Sequence, residues 1–381
     1  MGISDKYHCL KPDHDVLTKE GWKPIAEVTL SDEVACLENG ENLVYQHPTE
    51  IMHYPNFKGK MYHIKNEQID LDVTENHRML VQKQLYLDGK RNGYDKPSLE
   101  KASEIIGKHR KYKKNALWEK PVYQFILPEY KQFQAKVLDM NSWLTLFGIM
   151  LSCAVTSQKE IQIAVNSRIK RKVITILSTL EYTYSQSIDP LREDIIISDE
   201  QLVKYANEIN INYYNCCLPD WVWDLNKEQA RLLMKAVAIG NIGRDNASRL
   251  RIFSKDLLDD LQRLCLHAGW SANKTIYYPI DNKTIIRGKC IDDDEVYELM
   301  INRSNNSPSV NNHHKQEECL YDFEGPVYCI GVPSQVFYVR RNGKPIWTGN
   351  SRETGPVQLL TRQPAEGRSR DKPLSRKVSC H

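Results

Sequence analysis

Short runs of alternating apolar and polar residues fill the first part of the chain, at 15–18, 33–37, 43–46, 49–52, 60–65, 69–73 and 79–82. Turn formers Asn39-Gly40, Pro55-Asn56 and Gly59 separate them. This spacing predicts a small twisted all-β unit. From 99 to 120 the chain turns Lys-rich and helical or irregular, and 121–127 predicts one more strand. At Asn141 the period changes: Trp143, Leu144, Phe147, Gly148 and Leu151 fall at helical spacing. Residues 226–239 repeat that texture, with Asn226 and Gln229 as a capping box and Ala230, Leu233, Met234 and Val237 on one face. Strand-like runs follow each helix, at 161–165 and 249–253, and then a further helix. Ser254 caps the second of these, along which Leu257, Leu258, Leu261, Leu264 and Cys265 line up. A duplicated unit of helix, strands and helix predicts a pseudo-symmetric α+β domain. The stretch 302–317 is polar and predicts a linker. Strands then return at 327–332, 335–340 and 345–348, with Asn342-Gly343 as a hairpin turn. β sequence therefore brackets a helical insert, as one domain inserted into another would give.

Composition changes this picture little. A length of 381 residues suits two or three packed units. The net charge of +3 comes from 52 basic and 49 acidic groups; residues 352–381 hold 7 basic and 3 acidic, leaving everything before them at −1. A nearly neutral body excludes an arm-type nucleic-acid binder that works by neutralising many phosphates. No basic start precedes an apolar core at the N-terminus, and the most apolar stretch, 143–151, is too short to span a bilayer. The ten scattered cysteines include no CxxC pair and suit a reduced intracellular protein with free thiols.

Four positions gain meaning together: Cys9 before the first β block, Thr74 and His77 in LDVTENHRMLV, and Asn350-Ser351 after the last hairpin. With CLKPDHDVLTKEGWKPIAEV at the start and VYCIGV through WTGNS at the end, this ordered set resembles an intein, a self-splicing protein insert, over residues 9–350. The resemblance implies a horseshoe-like all-β splicing domain of the type shared with hedgehog autoprocessing domains, interrupted by the α+β domain. It divides the chain into a host segment 1–8, splicing parts 9–138 and 318–350, an inserted domain with linker 139–317, and a host segment 351–381. Cys9 would attack the carbonyl of His8 to form a thioester. Thr74 would stabilise the oxyanion, and His77 would protonate the departing amine. Ser351 would take the acyl chain, and Asn350 would cyclise to release it. No metal or cofactor is implied, and the reaction is a single turnover in cis.

Three positions depart from the family pattern. Gly349 stands where a histidine is usual before the terminal Asn, Gln335 replaces a second histidine, and Cys329 occupies a position often held by Asp, where it would tune proton transfer between the junctions.

The ends, joined as DKYH followed by SRETGPVQLLTRQPAEGRSRD, resemble a continuous stretch of the second-largest subunit of RNA polymerase II. After Asp371 that likeness stops, and 372–381 reads as foreign to the host. A soluble monomer in cytoplasm or nucleus, following its host, is the expectation. The middle section resembles a LAGLIDADG homing endonuclease: 144–154 and 232–243 look like its signature helices, whose terminal acidic residues hold catalytic cations. Cys153 and Asn241 stand at those positions, so the resemblance implies a kept fold without DNA cleavage, with 168–172 and 244–251 left for weak contact with phosphates. A DNA-binding endonuclease with vestigial splicing is the alternative, which a carboxylate at 153 or 241 would have favoured.

Overall fold

The computed structural model describes residues 7–187, 193–212, 215–242, 246–277, 284–286, 289–291, 296–310 and 316–350. Among them the largest sheet has eleven strands. Its main path runs Gly21–Pro24, His14–Thr18, Val34–Glu38, Val336–Arg341, Lys344–Gly349, Arg78–Leu87, Arg110–Tyr112 and Ser309–Val310. Strands some 320 residues apart in sequence thus lie side by side, with Val16 opposite Val339. The turn joining Val336–Arg341 to Lys344–Gly349 holds Asn342 and Gly343 at φ 47° and 74°, the left-handed pair that a two-residue hairpin needs. The architecture is mostly sheet, and no sheet of the described residues closes into a barrel.

A second, three-stranded sheet positions the start of the chain. Glu50–Lys65 pairs antiparallel with Glu317–Gly331 on one side and Asp70–Thr74 on the other. The separate strands expected at 49–52 and 60–65 are one sixteen-residue strand. Pro55-Asn56 does not end it because Pro326 lies opposite, where the register shifts between Gly325 and Val327. Prolines without an N–H are tolerated at such an irregularity in the ladder. Other expectations shrink: 121–127 contributes only Ile126–Leu127, and within 302–317 the residues Ser309–Val310 form a short strand while 311–315 lie outside the described residues.

The two long helices form as their periodicity requires. Met140–Cys153 starts at Asp139, whose carboxylate accepts from Ser142 N at 2.8 Å. Lys227–Ile242 starts with the reciprocal bonds of a capping box: Gln229 N donates to Asn226 Oδ1 at 2.9 Å, and Asn226 N to Gln229 Oε1 at 3.2 Å. They cross backbone on backbone. A Cβ on Gly148 would lie 2.5 Å from the Ala236 Cβ, and one on Gly240 2.8 Å from the Ser152 Cβ. Each helix leads into its own antiparallel sheet, of four strands after the first and three after the second. Lys255–His267 packs beside the second, capped by Ser254 at 3.1 Å from Leu257 N. One hydrophobic cluster runs through this region from Phe125 to Ile301, and a separate one through Leu10, Val16, Phe337 and Ile346.

Charged side chains tie the two regions together. Arg340 reaches Asp15 at 2.8 Å, Gln262 Oε1 at 2.9 Å and both oxygens of Asp259 at 2.6 and 2.9 Å, while Lys274 also pairs with Asp259. Burial raises the Asp259 pKa, but these cations outweigh it and hold the carboxyl below its usual value. Among the described residues no helix is long and apolar enough to cross a membrane.

Candidate functional site

The segment Cys9-Leu10 is threaded between two strands. Leu10 bridges Tyr328 on one side, with bonds of 2.8 and 2.9 Å, and Val73 on the other. Thr74 N donates to the Cys9 carbonyl at 3.0 Å. These contacts bury Cys9 completely and set it beside Cys329 on the strand Glu317–Gly331, with 4.6 Å between their Cα atoms. The two sulfurs are bonded to each other. This corrects the expectation of a free Cys9 thiol: strand pairing places the two side chains in bonding range across 320 residues of sequence, a proximity that spacing alone does not reveal.

The turn after Asp70–Thr74 carries the next groups. Thr74 Oγ1 accepts from Cys9 N at 2.9 Å and donates to the Tyr7 carbonyl at 2.8 Å, so it holds the amine of the His8–Cys9 peptide and not the His8 carbonyl. His77 is buried, with Nε2 2.7 Å from Thr348 Oγ1 and Nδ1 without a hydrogen-bond partner among the described residues. Burial pushes its pKa down to about 3, against the opposing influence of the adjacent His8 backbone. The ring is therefore neutral near pH 7 and can donate through only one nitrogen. His8 itself is buried, its Nδ1 2.5 Å from the Asn76 carbonyl.

At the other end of the chain Asn350 is buried and held on every polar group. Its N–H donates to the Gln335 carbonyl at 2.9 Å and its Nδ2 to the Val332 carbonyl at 2.8 Å. Arg78 donates from Nε to the Asn350 carbonyl at 3.0 Å, from one terminal nitrogen to Asn350 Oδ1 at 2.5 Å, and from the other to Gln335 Oε1 at 3.3 Å. Sequence reasoning missed Arg78, although it directly follows His77 and begins the strand Arg78–Leu87. The signal for it was its place next to His77 in LDVTENHRMLV, at the point where the turn enters the next strand.

Gly349 has a steric reason. A Cβ there would lie 2.6 Å from the Arg78 carbonyl and 2.9 Å from the Arg78 Cβ, so no histidine fits. Gln335 supplies both a backbone acceptor to Asn350 and a side-chain acceptor to Arg78. Ser351 lies outside the described residues, as does the segment 372–381.

Cys153 is the last residue of the first crossing helix and Asn241 the last but one of the second. Cys153 Sγ is buried against the Ile149 carbonyl at 3.0 Å, and Asn241 clasps the backbone of Arg251 with bonds of 2.7 and 3.1 Å. No group of three His, Cys, Asp or Glu among the described residues is arranged to hold a metal ion. Of the proposed phosphate contacts, residues 243–245 lie outside the described residues.

No family model matches the chain. It is 37% identical over 422 residues to the DNA-directed RNA polymerase subunit beta C-terminal section of Stigeoclonium helveticum, a match covering 97% of this chain and 38% of that protein. It is 29% identical over 465 residues to the ATP-dependent Clp protease proteolytic subunit of Chlamydomonas moewusii, covering 90% and 45%. The chain thus spans less than half the length of either curated relative. Among solved structures, a class 3 split intein, AceL NrdHF, matches at a TM-score of 0.30 and 11% identity, over 91% of this chain and 99% of that one. The homing endonuclease I-DmoI bound to DNA and calcium matches at a TM-score of 0.31 and 14% identity, over 42% and 83%. The homology to the polymerase subunit section, with both junction motifs in place, fits an intein carried in an RNA polymerase subunit. That relative is a polymerase beta subunit section, so the host likeness is to an RNA polymerase subunit more broadly than the polymerase II subunit expected from the ends.

Proposed function

We propose that this chain splices itself, excising residues 9–350 and joining His8 to Ser351. One observation carries the reading: the five residues from Thr74 to Arg78 touch both junctions. Thr74 holds the amine at Cys9, His77 lies by His8 and bonds Thr348, and Arg78 holds Asn350. The relatives support it from another side. A polymerase subunit section and a protease subunit have no chemistry in common, yet both align along nine-tenths or more of this chain, so what they share is the central segment and not a host activity.

The reaction begins with the reduced Cys9 sulfur attacking the His8 carbonyl carbon. The carbon–nitrogen bond to Cys9 breaks, and the thiol proton ends on the freed amine, which Thr74 already positions. A neutral His77 whose Nε2 accepts from Thr348 carries its proton on Nδ1, the side without a partner, and presents it to this peptide. Ser351 Oγ then displaces the Cys9 sulfur, giving an ester. Finally Asn350 Nδ2 attacks its own backbone carbonyl, expelling the Ser351 amine and closing a succinimide. Val332 draws on the amide proton, while Arg78 polarises both the Oδ1 that acidifies the amide and the carbonyl oxygen that becomes negative. The ester rearranges to a peptide, and atoms balance without any cofactor.

Splicing would be seen directly by mass spectrometry of the reduced chain. A 342-residue fragment and a joined 39-residue host peptide are expected, both absent from Cys9→Ala. A wild-type chain that stays intact after reduction would sink the proposal.

The domain division at 138/139 and 317/318 belongs to the same proposal; the hydrophobic clusters separate the two regions without matching these boundaries, since Phe125, Leu127 and Leu138 pack with the insert and Val310 with the splicing sheet. We assign the inserted region a nuclease-like fold without nuclease chemistry. Its two helix ends offer a thiol and an amide, each already bonded to backbone, where cation binding needs charged oxygens. Pure protein incubated with Mg²⁺ and host-gene DNA should leave the duplex intact; cleavage abolished by EDTA would overturn this.

A further inference from the structure

Tyr7 belongs to the host, two residues before the junction, yet it is seated in the insert. Its ring meets Tyr54 edge-on at 4.6 Å between centroids and Phe57 at 5.3 Å, with interplanar angles of 84° and 80°. Tyr54 and Phe57 are three residues apart on one strand, where a regular pleat would turn them to opposite faces. The irregularity opposite Pro326 removes that parity and lets both face Tyr7. Phe57 is further fixed over Gly59, whose missing side chain leaves room for the ring: a Cβ there would come within 2.8 Å of it. The floor of the cluster is Met61, Val327 and the Cys9–Cys329 pair. The Tyr7 backbone also enters the site, since its carbonyl accepts from the Thr74 hydroxyl that holds the Cys9 amine.

We infer that Tyr54 and Phe57 form a recognition subsite for an aromatic host residue two before the splice junction, and that filling it aligns the scissile peptide. The inference rests on the splicing reading and adds a rule for which hosts the insert can leave. The ring anchors the peptide upstream and the Leu10 bridges anchor it downstream, so the His8 carbonyl is held between two fixed points. An aromatic pair contributes beyond its buried area, and losing the anchor should slow acyl shift by about tenfold.

The test uses the full chain under reducing conditions, with hydroxylamine cleavage at Cys9 reporting the thioester and C-terminal cleavage at Asn350 as the internal control. Tyr7→Phe should keep the wild-type rate. Tyr7→Ala should lose about tenfold at the N-terminal junction with C-terminal cleavage unchanged. Tyr54→Ala should match it, and the double variant should lose no more than either single one. Equal N-terminal rates for Tyr7→Ala and wild type, or additive losses in the double variant, would overturn the subsite. A wild-type chain with no hydroxylamine-sensitive bond would instead sink the splicing reading, so the two failures are separate results.

Discussion

Prepared without reductant, the chain should keep its N-terminal junction uncleaved and yield no spliced product, and a dithiol should start the acyl shift. The nucleophile of the first step is a thiol or thiolate, and a sulfur bonded to Cys329 is neither. Both cysteines are buried, so exchange must wait for local opening of the Leu10 bridges, and a lag before the first product is expected. Exchange moves two electrons and two protons from the dithiol to the cysteines and leaves both as thiols. Cys329→Ala should process without reductant, whereas Cys36→Ala, altering a buried free thiol on another strand, should keep the requirement. The bond also closes a loop with a sequence separation of 320, for which chain entropy alone gives on the order of 5 kcal/mol. Reduction of an Asn350→Ala, Ser351→Ala chain by a water-soluble phosphine, which is oxidised to its oxide and does not cleave thioesters as a dithiol does, should therefore lower its melting temperature. Identical time courses with and without dithiol would refute the lock.

Replacing Arg78 should have the second large effect, confined to the other junction. Loss of one donor to a developing oxyanion typically costs about 10²- to 10³-fold in rate. Here the same side chain also holds Oδ1 of the attacking amide. Arg78→Met should thus abolish Asn350 cyclisation on the timescale of splicing while the thioester still forms, so that a branched ester accumulates and appears as a slow-migrating species. Arg78→Lys keeps the charge without the fork and should fall between. Equal C-terminal cleavage in Arg78→Met and wild type would dismiss the role. Loss of both junction reactions, with a lowered melting temperature, would instead show a structural one.

The proposed junctions could be picked out in the sequence because the chemistry expected of them depends on residue type in order: Cys9, Thr74, His77 and Asn350 could be named before their positions were known. The helices were equally legible, since caps such as Asp139, Asn226 and Ser254 act within three residues. What could not be read depended on strand pairing. Pro55 and Pro326 each look like a strand end and become harmless only opposite one another. Cys9 and Cys329 look like two thiols until the strands set them together. Gly349 and Gln335 look like losses, yet one leaves room for Arg78 and the other accepts from it. A residue-by-residue comparison with a family pattern registers the missing imidazoles but not the guanidinium that occupies their place from another strand.

The helix crossing carries a consequence for how such a chain drifts under mutation. At Gly148 and Gly240 even a methyl group would collide with the facing helix, so substitution there costs the fold at once. At 153 and 241 a thiol and an amide are accommodated by bonds to nearby backbone, so carboxylates are dispensable to the packing. Once cleavage no longer contributes to survival, the scaffold and the chemistry should decay on different clocks, with the glycine contact still in place generations after the acidic ends have gone.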